Sequence, residues 1–279
     1  EPELDARFIK QDWNNRTSFD GIITLTSLGN KLKISLPVKK SKHFNKLLNK
    51  GTIKSGIRLS KHNLTFNFDM PTPKPKTEGK TIGLDIGIKN IYSLSTGFTS
   101  QPCNHNHTLD SITKKLSRKT KGSKAFEQTQ QHRINYINWS LNQIDFSNIY
   151  TLRIENIKYL RKHKRTSRYL SHFTYTEIYD KIEDLTSTNG VRLVKVNPTY
   201  TSQRCSNCGW VRSSNRKGKL FNCNVCKFSI DADINAALNI SANLPSISKV
   251  KRLKQRNRKG FYWNALGEKC IVSSTQNLI

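Results

Sequence analysis

Apolar and polar residues alternate in short runs through the first seventy positions. Ile22, Ile23 and Leu25 form one apolar run, and Leu32, Ile34, Leu36 and Val38 alternate cleanly beyond a turn at Gly29-Asn30. Ile57 and Leu59 then match Leu64, Phe66, Phe68 and Met70 across a turn at 61–63. Period-two patterning bounded by turn residues predicts strands. Residues 1–75 therefore read as a β-rich, partly open barrel-like module. Residues 1–12 show no pattern, and the basic stretch 39–50 reads as helix or loop. The module is short for a whole domain, so its missing strands are expected from a preceding segment or another chain.

The stretch 71–80, PTPKPKTEGK, reads as a linker. Beyond it the period changes. Ile82, Leu84 and Ile86 alternate with Gly83, Asp85 and Gly87, and Ile91, Tyr92 and Leu94 continue as a second strand, so the two predict a hairpin. Ile134, Ile137, Leu141 and Ile144 recur at helical spacing, with a loop or helix junction at 117–123. A strand at 150–154 ends in Glu155. A helix at 173–185 stops at Asn189-Gly190, a strand at 191–196 closes at Pro198, and a helix at 234–244 breaks before Pro245. Strands separated by helices predict an α/β arrangement.

Charge narrows the partners. The 279 residues hold 48 Lys and Arg against 19 Asp and Glu, a formal charge of +29. Such a chain repels itself unless a polyanion surrounds it, which points to nucleic acid. The cations come in runs: six in 114–124, six in 158–168 and seven in 249–259. No apolar run has the length of a membrane span, and the N-terminal residues lack the apolar core of a signal peptide. Four of the six cysteines cluster, which suggests metal rather than disulfides and a reducing, cytoplasmic setting.

That cluster is Cys205-x2-Cys208-x14-Cys223-x2-Cys226. Two such knuckles offer four thiolates to one tetrahedral zinc, a structural site with no position left for water. Gly209 permits the tight turn after the first knuckle. Of the remaining cysteines, Cys103 precedes His105 and His107, and a partly buried mobile loop explains that trio better than a metal site does. Cys270 stands alone.

Asp85 lies inside an apolar strand, where a lone carboxylate is costly unless a cation holds it. Gly83 and Gly87 leave room for a backbone or ligand to approach. Glu155 and Asp233 share this setting, at a strand end and a helix start. Each has a bland alternative: a turn cap for Asp85, a solvated strand end for Glu155, a helix cap for Asp233, with Asp231 an equal candidate for that cap. If the fold brings the three together, divalent cations must neutralise them, the arrangement that two-metal phosphodiester hydrolysis requires.

GLDIGIKNIYSLS (83–95), LRIENIKYL (152–160) and CSNCG…FNCNVC…DADINAALNI (205–240) resemble the three RuvC motifs and embedded zinc ribbon of the transposon-encoded TnpB nucleases, relatives of compact type V CRISPR effectors. The resemblance implies an RNase H-like (RuvC) domain over 76–204 and 229–246, interrupted by a four-cysteine zinc ribbon at 205–228 and followed by a basic tail at 247–279. Residues 1–75 are similar to part of the family's wedge domain. Asp85, Glu155 and Asp233 match the family's catalytic acids, with Mg2+ or Mn2+ at that site and structural Zn2+ in the ribbon. The implied activity is RNA-guided DNA cleavage, with a guide RNA and a double-stranded DNA target as partners, one target strand displaced, in a bacterial or archaeal nucleoid. A compact type V CRISPR effector and a cleavage-deficient RNA-guided DNA-binding protein are the alternatives. Ala232 stands where the family often has Arg, and Asn156 where an acid often follows the catalytic Glu. The helical recognition lobe is not found, so a split protein, a truncated gene product or a partner subunit is expected to account for it.

Overall fold

Prolines at 71, 73 and 75 cannot donate to a strand ladder, and the chain divides among them into two units, Glu1–Thr72 and Pro73–Ile279. The structure is a computed structural model that describes residues 3–13, 18–61, 63–157, 174–245, 247, 259–264 and 267–269. The basic run 158–168, Phe173, Cys270 and all of the run 249–259 except Lys259 lie outside the described residues.

The first unit holds β1 (Glu3–Leu4), β2 (Ile9–Asp12), β3 (Gly21–Thr26), β4 (Lys33–Val38), helix α1 (Lys42–Leu48), β5 (Thr52–Leu59) and β6 (Leu64–Asp69). They form two antiparallel sheets, ordered β1-β5-β6 and β2-β3-β4. The patternless N-terminal stretch thus supplies a strand to each sheet, Glu3–Leu4 and Ile9–Asp12. Only Ile9 of Ile9–Asp12 is apolar, so these residues carry no alternation of their own. Their partner recruits them, through Ile9↔Leu25 to Asp12↔Ile22. Ile23 and Ile57 are fully buried. Phe44 of α1 packs 5.1 Å from Trp13 and from Phe68, and 5.5 Å from Phe66. The clean alternation at 32–38 becomes burial only in its second half: Leu32 is 57% and Ile34 44% exposed, while Leu36 and Val38 are half-buried.

The second unit is built on β7 (Lys80–Asp85), β8 (Ser93–Leu94), β9 (Ile149–Glu155) and β10 (Arg192–Val196), in the order β10-β9-β7-β8. β7, β9 and β10 run parallel, and β8 closes the edge antiparallel. Ile82, Leu84, Leu152 and Ile154 point from one face into a core shared with three helices. These are α2 (Leu109–Ser117), α3 (Lys124–Leu141) and α4 (Tyr175–Thr188), which contribute Leu109, Ile112, Ile137, Leu141, Ile178 and Ile182. Two hydroxyl caps set the junction between α2 and α3. Thr108 starts α2 in a capping box with Ser111, and Ser123 starts α3 by accepting from the Phe126 amide at 3.2 Å.

On the opposite face lies α5 (Ala232–Ser241). Gly83 makes this packing possible, because a Cβ there would sit 2.0 Å from the Ala237 carbonyl oxygen. The room left by Gly83 is therefore filled by a helix backbone. α5 starts two residues earlier than the periodicity predicts and ends three earlier, since Asp231 caps it and the chain turns extended at Ala242 (ψ 142°) ahead of Pro245. The second strand of the predicted hairpin shrinks to Ser93–Leu94. Ile91 and Tyr92 are still buried, with the Ile91 amide donating to Ser100 Oγ at 2.8 Å.

Between β10 and α5 lies the cysteine module, with β11 (Trp210–Val211), β12 (Arg216–Lys217), β13 (Leu220–Asn222) and β14 (Ser229–Asp231). β12-β13-β14 form one small sheet. β11 joins another with β15 (Phe261–Asn264) and β16 (Gly267–Lys269). Among the described residues no helix is long and apolar enough to cross a membrane.

Candidate functional site

The sheet sets two of the three acids. β7 and β9 pair in parallel through Leu84↔Ile154, so Asp85 and Glu155 end adjacent strands. Both have the parity of Gly83 and Arg153, the residues under α5, rather than that of the apolar core. Crevices at the carboxyl ends of parallel strands are where such sheets hold ligands. The third acid comes from α5. Asp231 occupies the N-cap, its Oδ1 accepting from the amides of Asp233 (2.9 Å) and Ile234 (3.2 Å). The capping role thus falls to Asp231, and the Asp233 carboxylate is left for other partners in the first turn, where the helix dipole favours an anion.

Those partners come from the cysteine module. Arg216 Nη2 donates to Asp233 Oδ1 at 2.8 Å, and Lys219 Nζ pairs with Oδ2. Both cations stand on the β12–β13 hairpin, between the two cysteine pairs in sequence. Asp233 is buried, while both cations remain about a third exposed, so each can compensate the carboxylate if the other is removed. Glu155 accepts a hydrogen bond from the Thr201 hydroxyl.

Electrostatics tie the three acids together. Burial pushes Asp85 well above the usual carboxylate range. Glu155 and Asp233 raise it further, while Arg216 and Lys219 oppose them. Burial also raises Glu155, against the Thr201 hydrogen bond and Arg216. Tyr175, at the start of α4, is raised by burial and then by Asp85 and Glu155. The acids are therefore neighbours, but their oxygens do not form a closed ligand set. Among the described residues, only the four cysteines form a group of three or more ligands whose donor atoms all lie within 4.8 Å of one another.

Those sulfurs are placed by two matching turns. In each knuckle the amide four residues on donates to the carbonyl of the first cysteine, Gly209 to Cys205 (2.9 Å) and Lys227 to Cys223 (3.0 Å). Gly209 (φ 81°) and Lys227 (φ 62°) both take the left-handed conformation that closes the turn. Cys205 and Cys226 sulfurs lie 3.6 Å apart, as do those of Cys208 and Cys223. A tetrahedron with metal–sulfur bonds of about 2.3 Å has edges of about 3.8 Å, so the donor set fits zinc. Trp210 Nε1 donates to Asn224 Oδ1 at 2.9 Å and ties one knuckle to the other.

A buried polar network couples this module to α5. Asn235 Nδ2 donates to the Arg204 carbonyl (2.8 Å), and its Oδ1 accepts from the Ser206 amide (3.0 Å). Asn239 Nδ2 reaches the carbonyls of Thr201 and Arg204 at 2.8 and 2.7 Å. Arg204 Nη1 donates to Asn239 Oδ1 at 2.6 Å. The sequence reading missed Asn235, Asn239 and Arg204. The available signal was two asparagines spaced i,i+4 among the apolar residues 234–240. Cys103 is half-buried against the core, and it does not form a ligand group with His105 and His107 among the described residues.

Residues 175–240, which hold α4, β10, the cysteine module and most of α5, match the family model described as Cas12f1-like, TNB domain. The chain is 35% identical over 126 residues to the CRISPR-associated endodeoxyribonuclease Cas12f1 of Sulfoacidibacillus thermotolerans, a match covering 45% of this chain and 28% of that protein. It is 26% identical over 194 residues to the putative RNA-guided DNA endonuclease InsQ of Escherichia coli, covering 58% and 48%. A TnpB-like protein of Aquifex aeolicus is 32% identical over 92 residues, 30% of each chain. Among solved structures, a Cas12f1–sgRNA–target DNA complex aligns over 67% of this chain and 55% of that one, at 25% identity and a TM-score of 0.44. The matches thus span less than half the length of these curated relatives. Residues 175–240 thus match a Cas12f1-like TNB domain, and parts of the chain are similar to TnpB-like and Cas12f proteins.

Proposed function

We propose that this chain is an RNA-guided DNA endonuclease whose second unit is an RNase H-like (RuvC) domain, with Asp85, Glu155 and Asp233 as its metal-binding acids. The observation that carries the reading is the meeting of two adjacent parallel strand ends and a helix start, at three carboxylates 70 and 78 residues apart in sequence. Two divalent cations, Mg2+ or Mn2+, would supply water activation and stabilisation of the leaving oxygen. The raised Asp85 is a carboxyl that such a charge would ionise. Thr201 orients Glu155, and Asp231 holds the α5 terminus so that Asp233 faces the strand ends. Arg216, which lowers both Asp85 and Glu155, stands where a phosphate would need a fixed cation. Cys205, Cys208, Cys223 and Cys226 hold structural Zn2+ and keep that hairpin rigid. The guide RNA selects the DNA by base pairing, and the first unit, similar to part of a wedge domain, contributes to holding it.

One observation favours the non-cleaving alternative: both oxygens of Asp233 are engaged by cations from the hairpin. A cleavage assay decides between the two readings. Protein co-expressed with its RNA is incubated with matching duplex DNA and Mg2+, beside the Asp85→Ala, Glu155→Ala and Asp233→Ala variants. The nuclease reading expects cutting by the wild type and a loss of about 10³-fold or more in each variant. Equal cutting by all four would refute the assignment. Binding without cutting by the wild type would establish the alternative. The origin of the copurifying RNA, transposon end or CRISPR array, separates the TnpB reading from the type V effector.

A further inference from the structure

A strained turn stands beside the acid centre. Among the described residues, the non-glycine positions with a left-handed backbone are Asn106, Tyr200 and Lys227. Asparagine tolerates that conformation, and Lys227 closes the second knuckle. A tyrosine at φ 63° is an outlier for a bulky side chain. Such strain persists only where the surroundings over-determine it, and it clusters at functional sites. Tyr200 directly precedes Thr201, the buried hydroxyl partner of Glu155.

Contacts on every side fix this turn. β10 ends at Val196, opposite Glu155. Asn197 Oδ1 then accepts from the Thr199 amide at 3.0 Å and from the Thr199 hydroxyl at 2.7 Å. The Tyr200 carbonyl accepts from the amides of Gln203 and Arg204, both at 2.9 Å. The Thr201 carbonyl accepts from Asn239 of α5 at 2.8 Å. None of these contacts calls for an aromatic side chain at 200. The ring answers to something else: it packs edge-on to Phe261, with centroids 5.6 Å apart.

Phe261 is fully buried and opens β15, in the stretch that the family resemblance gives as a basic tail. β15 is locked in place. It pairs with β11 through Val211↔Phe261 and Trp210↔Tyr262. The Trp263 amide donates to the Gly209 carbonyl at 2.9 Å, and the Trp263 carbonyl accepts from Arg204 Nε at 2.7 Å. A Cβ at Gly260 would lie 2.0 Å from the Trp210 ring, so the strand enters only over a glycine.

We infer that β15 is a positioning element of the acid centre and that Tyr200 is a positioning residue. The Phe261–Tyr200 contact holds the strained turn, and the turn delivers the Thr201 hydroxyl to Glu155. The consequence for metal rests on the proposed role of Glu155 as a metal-binding acid; the delivery itself does not.

The test uses the full zinc-loaded chain and two readouts. The first needs no metal at the acids. Unfolding equilibrium constants are measured by chemical denaturation for Tyr200→Ala, Glu155→Gln and the double variant. Residues in one network are non-additive, so this cycle is expected to depart from additivity by about fivefold. In a Thr201→Val background, which lacks the hydroxyl, the same cycle should add to within about twofold. Tyr200→Gly replaces Tyr200→Ala in the cycle if the alanine variant does not fold.

The second readout is Mn2+ affinity by electron paramagnetic resonance. Tyr200→Ala and Tyr200→Gly are each expected to weaken it by about tenfold, and Tyr200→Phe, which keeps the ring, to restore it. Glycine relieves the backbone strain, so Tyr200→Gly should melt above Tyr200→Ala while binding Mn2+ as weakly, which separates positioning from stability. An additive Tyr200–Glu155 cycle would overturn the inference, and so would wild-type Mn2+ affinity in Tyr200→Gly. Mn2+ binding that Asp85→Ala leaves unchanged would refute the metal reading alone, and the metal-free cycle would still decide the positioning.

Discussion

The cysteine module and the acid centre adjoin in the structure, yet they are built in opposite ways. Four sulfurs reach ligand distance through two five-residue turns, each closed by one backbone hydrogen bond and one left-handed residue. Three carboxylates meet only because two parallel strands are in register and a helix crosses them at a glycine. Local geometry makes the first site, and tertiary packing makes the second. The hairpin between the cysteine pairs then joins them, by pressing Arg216 and Lys219 onto Asp233. The module thus serves as the arm that supplies cations to the acids.

The contrast can be broken first at the module. Structural zinc in small sites contributes on the order of 10 kcal/mol. Cys208→Ser should therefore abolish bound zinc by elemental analysis and unfold residues around 205–226 by hydrogen exchange. It should also change divalent binding at the acids, because Arg216 and Lys219 lose their frame. Unaltered divalent binding in the zinc-free variant would show that the two sites are independent.

The acid centre should be most sensitive at a residue that bears no charge. Gly83→Val places side-chain atoms against the backbone of α5, which cannot give way as a flexible side chain can. We expect a loss of about 3 kcal/mol and a melting temperature lower by roughly 6–10 °C, with zinc content preserved. A melting temperature equal to wild type would mean that α5 is not held as described.

A smaller effect sharpens the role of the hairpin. Lys219→Ala removes a positive charge beside Asp233, so a dication should bind more tightly there, by about tenfold at an intermediate effective dielectric. Mn2+ titration followed by electron paramagnetic resonance reads this directly. Weaker Mn2+ binding would instead make Lys219 a support for the ligand geometry.

The smallest effect concerns pH. Burial, Glu155 and Asp233 raise Asp85 above its ordinary value of 3.8, so the folded protein keeps a proton that the unfolded chain releases. Stability from this group is therefore present at acid pH and declines as pH rises from the unfolded value toward the raised folded one. Metal-free Asp85→Asn should be more stable than wild type near neutral pH and similar near pH 4. Chemical denaturation at the two pH values checks the sign.

The comparison also explains what could be read in advance. The knuckle spacing, the period-two strands at β7 and β9 and the helical period of α3 are short-range signals, set within one turn or one ladder. The strands at residues 3–12 have no such signal, because Ile9–Asp12 is extended only by virtue of β3. The exposure of Leu32 and Ile34 shows the converse, a clean alternation in which the fold leaves residues open.

By itself the sequence determined a strongly basic charge, four thiols at metal-ligand spacing and three acids at the ends of apolar elements, since each follows from residue type and near spacing. Only the tertiary structure decided that Asp231 caps α5 while Asp233 does not, that Gly83 admits a helix, and that Arg216 and Lys219 stand at the acids. Those outcomes depend on which backbone segments approach across dozens of residues, and no local pattern carries that distance.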